Sequence, residues 1–354
     1  MLLRKTLTFA TAVLLILGLF LAGCGNQAAN QKTAQEILTE AFKKSAEVTS
    51  SKYEGSMKLN LQLPDSALDS PEAAMVLNML NSAELTFRGT SQIDPMMAEL
   101  FLTARITGDT EIAINMSMLI TEEKMWIKIP NTPFLPLPDE LVDKYVELDF
   151  AELGAMAGEE FTFDPEQQAR YQQLGSEIAE IFFGAFEDDQ FFTAVSKEDA
   201  GLPSDVDADQ VVKFELTNEN LRPFFEAVIE VLPGMLDKLA EIDEFDLAQA
   251  EIDDLKAQLE ADKDEIFADW DQVEETLNIN DLTVITAVNK EGFVTYTDVK
   301  ANIDITADGE TGTFGFDIKM KQSEINKNPS FEISEPSADD VIPLEDLMNM
   351  FMGF

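Results

Sequence analysis

Histidine is absent and cysteine occurs once, at Cys24, so the residue types that usually carry nucleophilic and metal chemistry are almost missing. Histidine-based triads need an imidazole base, and most zinc sites need imidazoles or several thiolates. What remains is carboxylate: 68 Asp and Glu face 24 Lys and Arg, for a net charge of −44. With so many acids, adjacent pairs arise from composition alone, and no pair stands out by spacing as a catalytic dyad. Asp205, Asp207 and Asp209 have the alternate spacing that opens a Ca²⁺-binding loop. Gln210 stands where that loop needs glycine, however, and Leu216 where it needs a bidentate glutamate. The segment reads as a solvated acidic loop. No phosphate loop or dinucleotide fingerprint occurs. These exclusions predict a protein that is not an enzyme and uses no cofactor and no metal.

The lone thiol has a telling position. Arg4 and Lys5 precede an apolar run over residues 7–20, the length of a signal-peptide core and short for a membrane span. Leu21-Ala22-Gly23-Cys24 follows and resembles the lipobox of bacterial lipoproteins. The resemblance implies that residues 1–23 are a signal peptide, that Cys24 becomes the first mature residue, and that its thiol carries a diacylglycerol. An ordinary signal peptide with an incidental cysteine is the alternative. Residues 24–32 read as a lipidated tether. No later run is apolar enough to span. The expected location is the extracytoplasmic face of the cell membrane, and the expected membrane partner is reached through the diacylglycerol-cysteine. The strong negative charge argues against nucleic acid and against lying flat on anionic lipid.

Elements must then be assigned to the rest. Ala34, Ile37, Leu38, Ala41, Phe42 and Val48 recur at helical spacing, predicting a helix over 33–49. Period-two alternation follows. Tyr53 to Leu63, Leu85 to Gly89, Leu100 to Ala104, Ile112 to Ile120 and Met125 to Ile129 read as strands of an antiparallel meander, with a short helix over 71–80 between the first two. Pro130, Pro133, Pro136 and Pro138 exclude sheet interior. A strand at 145–150, a helix over 165–186, a hairpin from 191–196 and 210–217, and a helix capped by Asn218 or Asn220 come next. Residues 235–280 read as an acidic helical insertion of two helices, with 15 acidic and two basic residues between Glu241 and Glu275. Long strands at 282–289, 293–307 and 311–324 close the sheet. The C-terminal tail, 338–354, mixes acidic residues with Leu347, Met350 and Phe354, the pattern of a short amphipathic helix.

This order resembles the LolA/LppX-like superfamily of bacterial envelope lipoproteins and carriers, and within it a group of Gram-positive lipoproteins of unassigned function. The residues that carry the resemblance are the strand Ile120-Thr121-Glu122-Glu123-Lys124-Met125-Trp126-Ile127-Lys128, and Ser323-Glu324-Ile325-Asn326 followed by Phe331-Glu332-Ile333 and Pro336. It covers about residues 33–337 and implies an α+β fold, a strongly curved antiparallel sheet forming an open half-barrel covered by helices. The acidic insertion departs from that layout. Some members of the superfamily hold acyl chains or lipoproteins in an apolar cavity. Here Met57, Leu59, Leu61, Phe87, Met116, Met118, Met125, Ile127, Phe316, Ile318 and Met320 are expected to point inward. Two readings stay open. The inner face is either a cavity for a lipid or other amphiphile, or a solid core in an interaction protein whose acidic surface meets a basic envelope protein.

Overall fold

The structure is a computed structural model. It describes residues 32–344 and 347, except 65, 67, 69, 109–110, 131–137, 139–140, 158–164, 187–189 and 242–248. The signal peptide, Cys24 and nearly all of the tether lie outside the described residues, as do most of the proline-rich stretch and most of the C-terminal tail.

The fold is mixed α+β. Its strands are β1 (Ser50–Gln62), β2 (Ala83–Gln92), β3 (Met97–Ile106), β4 (Ile112–Thr121), β5 (Lys124–Lys128), β6 (Tyr145–Asp149), β7 (Phe192–Ala194), β8 (Gln210–Glu215), β9 (Leu277–Val288), β10 (Val294–Ala307), β11 (Glu310–Ser323) and β12 (Val341–Pro343). They form one twelve-stranded sheet in the order β12-β6-β5-β4-β3-β2-β1-β11-β10-β9-β8-β7. The sheet is mostly antiparallel, with β12 parallel to β6, and it keeps two open edges, so it is not a barrel. The helices are α1 (Ala34–Lys43), α2 (Pro71–Ser82), α3 (Phe150–Ala157), α4 (Pro165–Gly184), α5 (Leu221–Leu239), α6 (Gln249–Ala268) and α7 (Trp270–Thr276). No described helix is long and apolar enough to cross a membrane. The chain forms two compact units, one of Met1–Glu47, Asn60–Leu68 and Glu166–Lys319, the other of Val48–Leu59, Asp69–Pro165 and Met320–Phe354.

The first unit holds a dense aromatic core. Thr33 starts α1 with a capping box: its hydroxyl accepts from the Glu36 N–H, and Glu36 accepts from the Thr33 N–H in return. Helical spacing then places Ile37, Leu38, Ala41 and Phe42 on the buried side. From α4 come Leu174, Ile178, Phe182 and Phe183, and from α5 come Leu221, Phe224, Phe225 and Val228, all buried. Their rings interlock: Phe42 meets Phe183 at 5.2 Å, Phe182 meets Phe186 at 5.0 Å, and Phe186 stacks on Phe224 at 5.3 Å. Val212 and Phe214 of β8 and Val284 of β9 are buried on the sheet face whose side chains share this core.

The opposite face of the same strands is also covered. Val211, Ile285, Ala287 and Tyr296 pack with Ala208, Leu202 and Val206 from the β7–β8 connection. The acidic loop at Asp205–Asp209 thus turns Val206 and Ala208 into a packed layer, while Asp205, Asp207 and Asp209 are exposed, as a solvated acidic loop requires. The Thr295 hydroxyl donates to the Asp207 carbonyl and the Asp209 N–H to the Val288 carbonyl. Burial of Tyr296, with the Asp298 and Asp317 carboxylates nearby, disfavours its phenolate and pushes its pKa up to about 12 from 10.0. Folding thus favours the protonated form. Its contribution is whole below the unfolded value and is lost as pH rises through the folded one. In a pH titration of the urea midpoint, stability should fall between pH 10 and 12, and Tyr296→Phe should flatten that fall. Burial raises Tyr53 as well, so a residual slope will remain.

Among the boundaries that differ from the sequence expectation are both ends of the acidic insertion. The acidic insertion was expected over 235–280, yet α5 continues through Pro233 and Gly234 to Leu239, with Met235 buried. At the other end Leu277 begins β9 rather than ending a helix. In both places tertiary burial outweighs local punctuation. Asn220 is the α5 N-cap residue, but its side chain accepts from the Thr217 N–H and makes no cap hydrogen bond.

The second unit is organised around β1–β6 and a C-terminal strap. Glu99 lies on the strap-side face of β3 and is 1% exposed. Its Oε2 accepts from the N–H groups of Glu332 at 2.7 Å and Ile333 at 2.9 Å. Ile333 then packs on Leu119 and Trp126, with Met97, Phe101, Tyr145 and Val341 around them. Arg88 lies 3.9 Å over the Phe101 ring and pairs with Glu332, whose carboxyl it holds below its usual range. Lys144 reaches the Asp339 carbonyl and the Asp340 carboxylate, and β12 then joins β6. Of the tail, Val341–Pro343 form this short strand and Leu344 and Leu347 are helical, while the rest of the stretch in which a short amphipathic helix was expected lies outside the described residues.

Candidate functional site

Directly opposed residues in an antiparallel ladder share a face, and so do residues two apart along a strand. The registers of the second unit therefore sort its side chains without ambiguity. Met57 opposes Leu85, which opposes Ala104, which opposes Ile114. The next row is Gly55, Phe87, Leu102 and Met116. A third runs Tyr53, Gly89, Leu100, Met118, Ile127 and Val146. A fourth runs Ser51, Ser91, Ala98, Ile120, Met125 and Leu148. These rows form one continuous apolar face. A Cβ at Gly89 would collide with the Glu99 carbonyl and the Tyr53 ring, so glycine is required for the third row to close up.

The registers bring Met57, Phe87, Met116, Met118, Met125 and Ile127 onto this one face, and Leu59 and Leu61 continue the alternation of β1. On β11, the Gln322 amide reaches the Ser51 hydroxyl at 3.0 Å. Ser51 belongs to the fourth row, so Met320, two residues before Gln322, points to the same face. Phe316 and Ile318 keep that parity along β11 within the first unit, where the Phe316 ring meets Phe314 at 5.8 Å. Every one of these site residues is half-buried, and none belongs to the buried core. Leu85, Leu100, Leu102, Ile114 and Ile120 complete the face. Their alternation is present in the sequence, so the same signal that found the others could have found them.

The two faces of this part of the sheet are chemically different. The strap face holds Glu99, Leu119, Trp126 and Glu147 under residues 329–343. There a cavity of about 500 Å³ is lined by Thr121, Lys124, Trp126, Glu147, Glu335, Pro336 and Val341, among others. Three of its polar side chains satisfy one another. The Trp126 Nε1–H donates to Glu147 at 2.8 Å, and the Lys124 ammonium donates to the same carboxylate at 2.8 Å. That hydrogen bond is the main reason the Lys124 pKa is raised. Among the described residues no group of three or more Asp, Glu, His or Cys could hold a metal ion. The strap cavity left no trace in the periodicity, because a segment more than 200 residues downstream of Glu99 builds its second wall.

Apart from Tyr53, Ser51 and Ser91 at its β1–β2 end, the apolar face carries Met, Leu, Ile, Phe, Val, Ala and Gly, none of which can take up or release a proton. What it can do is take up apolar surface: roughly 25 cal/mol is gained per Å² removed from water. Methionine suits a changing shape, because its thioether chain is unbranched and polarizable. No family model matches the chain, and no curated protein matches it.

Proposed function

We propose that this protein is a non-enzymatic lipoprotein, held on the extracytoplasmic face of the cell membrane by a diacylglycerol on Cys24, which binds a lipid or other amphiphile on the apolar face of β1–β6. The observation that carries the reading is the alignment of Met57, Phe87, Met116, Met118, Met125 and Ile127 on one face that the protein leaves half-exposed. The resemblance to LolA/LppX-like carriers points the same way. Mass spectrometry of protein released in mild detergent should find a copurifying lipid. In parallel, Met116→Asp/Met118→Asp should weaken binding of a fluorescent fatty acid at least tenfold while shifting the melting temperature little, since both side chains are half-exposed. A lipid-free mass together with wild-type protein that ignores the fatty acid would overturn the reading.

A second reading has its own support. In the first unit both faces of β8–β10 are filled, and α6 exposes Glu251, Asp253, Asp254, Glu260 and Asp264. An acidic surface on a packed core fits a basic envelope partner, and that association would weaken steeply with salt.

A further inference from the structure

We propose that α2 is a membrane-docking element that seats one side of the helix in the bilayer to which the protein is tethered. The helix is well founded locally. Ser70 caps it by accepting from the Ala73 N–H at 3.1 Å, and Pro71 occupies the first turn. It is apolar almost all round, with one charged residue, Glu72, and no basic residue. A helix of that composition is normally buried in a core, yet no residue of α2 is buried. Ala73, Ala74 and Leu77 are half-buried on one side. Met75, Val76, Met79 and Leu80 form the other, exposed at 67%, 47%, 45% and 37%. Their spacing, i, i+1, i+4 and i+5, makes one continuous stripe.

The occupant follows from chemistry and size. The stripe offers no charge for an ion pair, so a recognition partner must be apolar. Its area is on the order of a few hundred Å², short of the ~800 Å² per partner that a stable dimer buries. A bilayer needs no matching shape, and the expected anchor keeps the chain at one: the tether from Cys24 to Thr33 spans at most about 30 Å when extended, so Thr33 stays within that reach of the lipid surface. Tethering raises the effective concentration of membrane at the helix, so a weak insertion suffices. With no basic residue on α2, docking should not depend on anionic lipid or on salt, unlike that of a polybasic segment. This inference shares only the anchor with the proposed function, and it holds whether or not the sheet face binds a ligand.

The test uses Val76→Trp in the full chain, purified from membranes and added to excess phosphatidylcholine vesicles with or without brominated acyl chains. Trp126 and Trp270 are both buried and supply a constant background. The expected result is a blue-shifted indole emission quenched by the brominated lipid and unchanged in molar salt. Adding Met75→Asp and Met79→Asp should reduce the quenching to the background level while the protein still floats with the vesicles. An emission that stays water-like and unquenched overturns the proposal, with or without an acyl group in the intact mass. A blue shift that grows with protein concentration in the absence of vesicles also overturns it, in favour of a second copy. Absence of the acyl mass with quenching intact would count against the anchor alone.

Discussion

Glu99→Ala should destabilise the second unit by about 3–5 kcal/mol, because two backbone N–H groups lose hydrogen bonds to a carboxylate, each contributing about 1.5–3 kcal/mol. The substitution leaves the N–H groups of Glu332 and Ile333 without the carboxylate they donate to at 2.7 and 2.9 Å. It also frees the segment that presses Ile333 onto Leu119 and Trp126. Glu99→Gln keeps one acceptor oxygen and should cost less, about 1–3 kcal/mol. Urea denaturation reads the first quantity, and limited proteolysis between Lys327 and Asp340 reads release of the strap. A wild-type urea midpoint combined with wild-type cleavage in Glu99→Ala would show that the carboxylate is not what fastens the strap.

Phe182→Ala should cost a similar amount, about 3–5 kcal/mol. Phe182 is 0% exposed, and its ring meets Phe183 at 5.3 Å and Phe186 at 5.0 Å. The cavity left behind is walled by other rings that cannot all move in. Phe182→Leu retains most of the volume and should cost under about 1.5 kcal/mol. Denaturation midpoints at unchanged denaturant slope would give both values. Equal, small effects from the two variants would mean that this part of the aromatic core can collapse, contrary to the dense ring packing observed around it. The same kind of change at Met118 on the half-exposed face should be far milder, because little area is lost from contact.

Much of the fold was legible in the chain. Period-two alternation predicted the strands of the meander and the long final strands to within a few residues, since a half-covered sheet imposes that pattern directly. It also placed Met57, Phe87, Met116, Met118, Met125 and Ile127 on one face, with Lys124, Trp126 and Lys128 on the other, as the registers have it. Glu99 was not legible as a structural residue. In Met97-Ala98-Glu99-Leu100 it reads as an ordinary polar position on a solvent-facing strand surface. Only the arrival of Glu332 and Ile333 makes it the most deeply buried acid of the second unit among the described residues.

The sequence by itself determined which residues share a face, the approximate places of most strands and helices, and that a lone lipobox-like cysteine is the chief candidate for covalent chemistry. Those properties depend on neighbours a few positions away, through backbone sterics and the 2.0 and 3.6 residue periods. The tertiary structure alone decided which faces are covered. It filled both sides of β8–β10 with phenylalanines and a loop, fastened the C-terminal strap to one side of β3–β6, covered Val146 on the other side with Leu141 and Leu347, and left the rest of that side half-exposed and the outer stripe of α2 exposed. Covering is decided by segments hundreds of residues apart, whose meeting has no local signature, because burial free energy depends on the area two surfaces remove from water together.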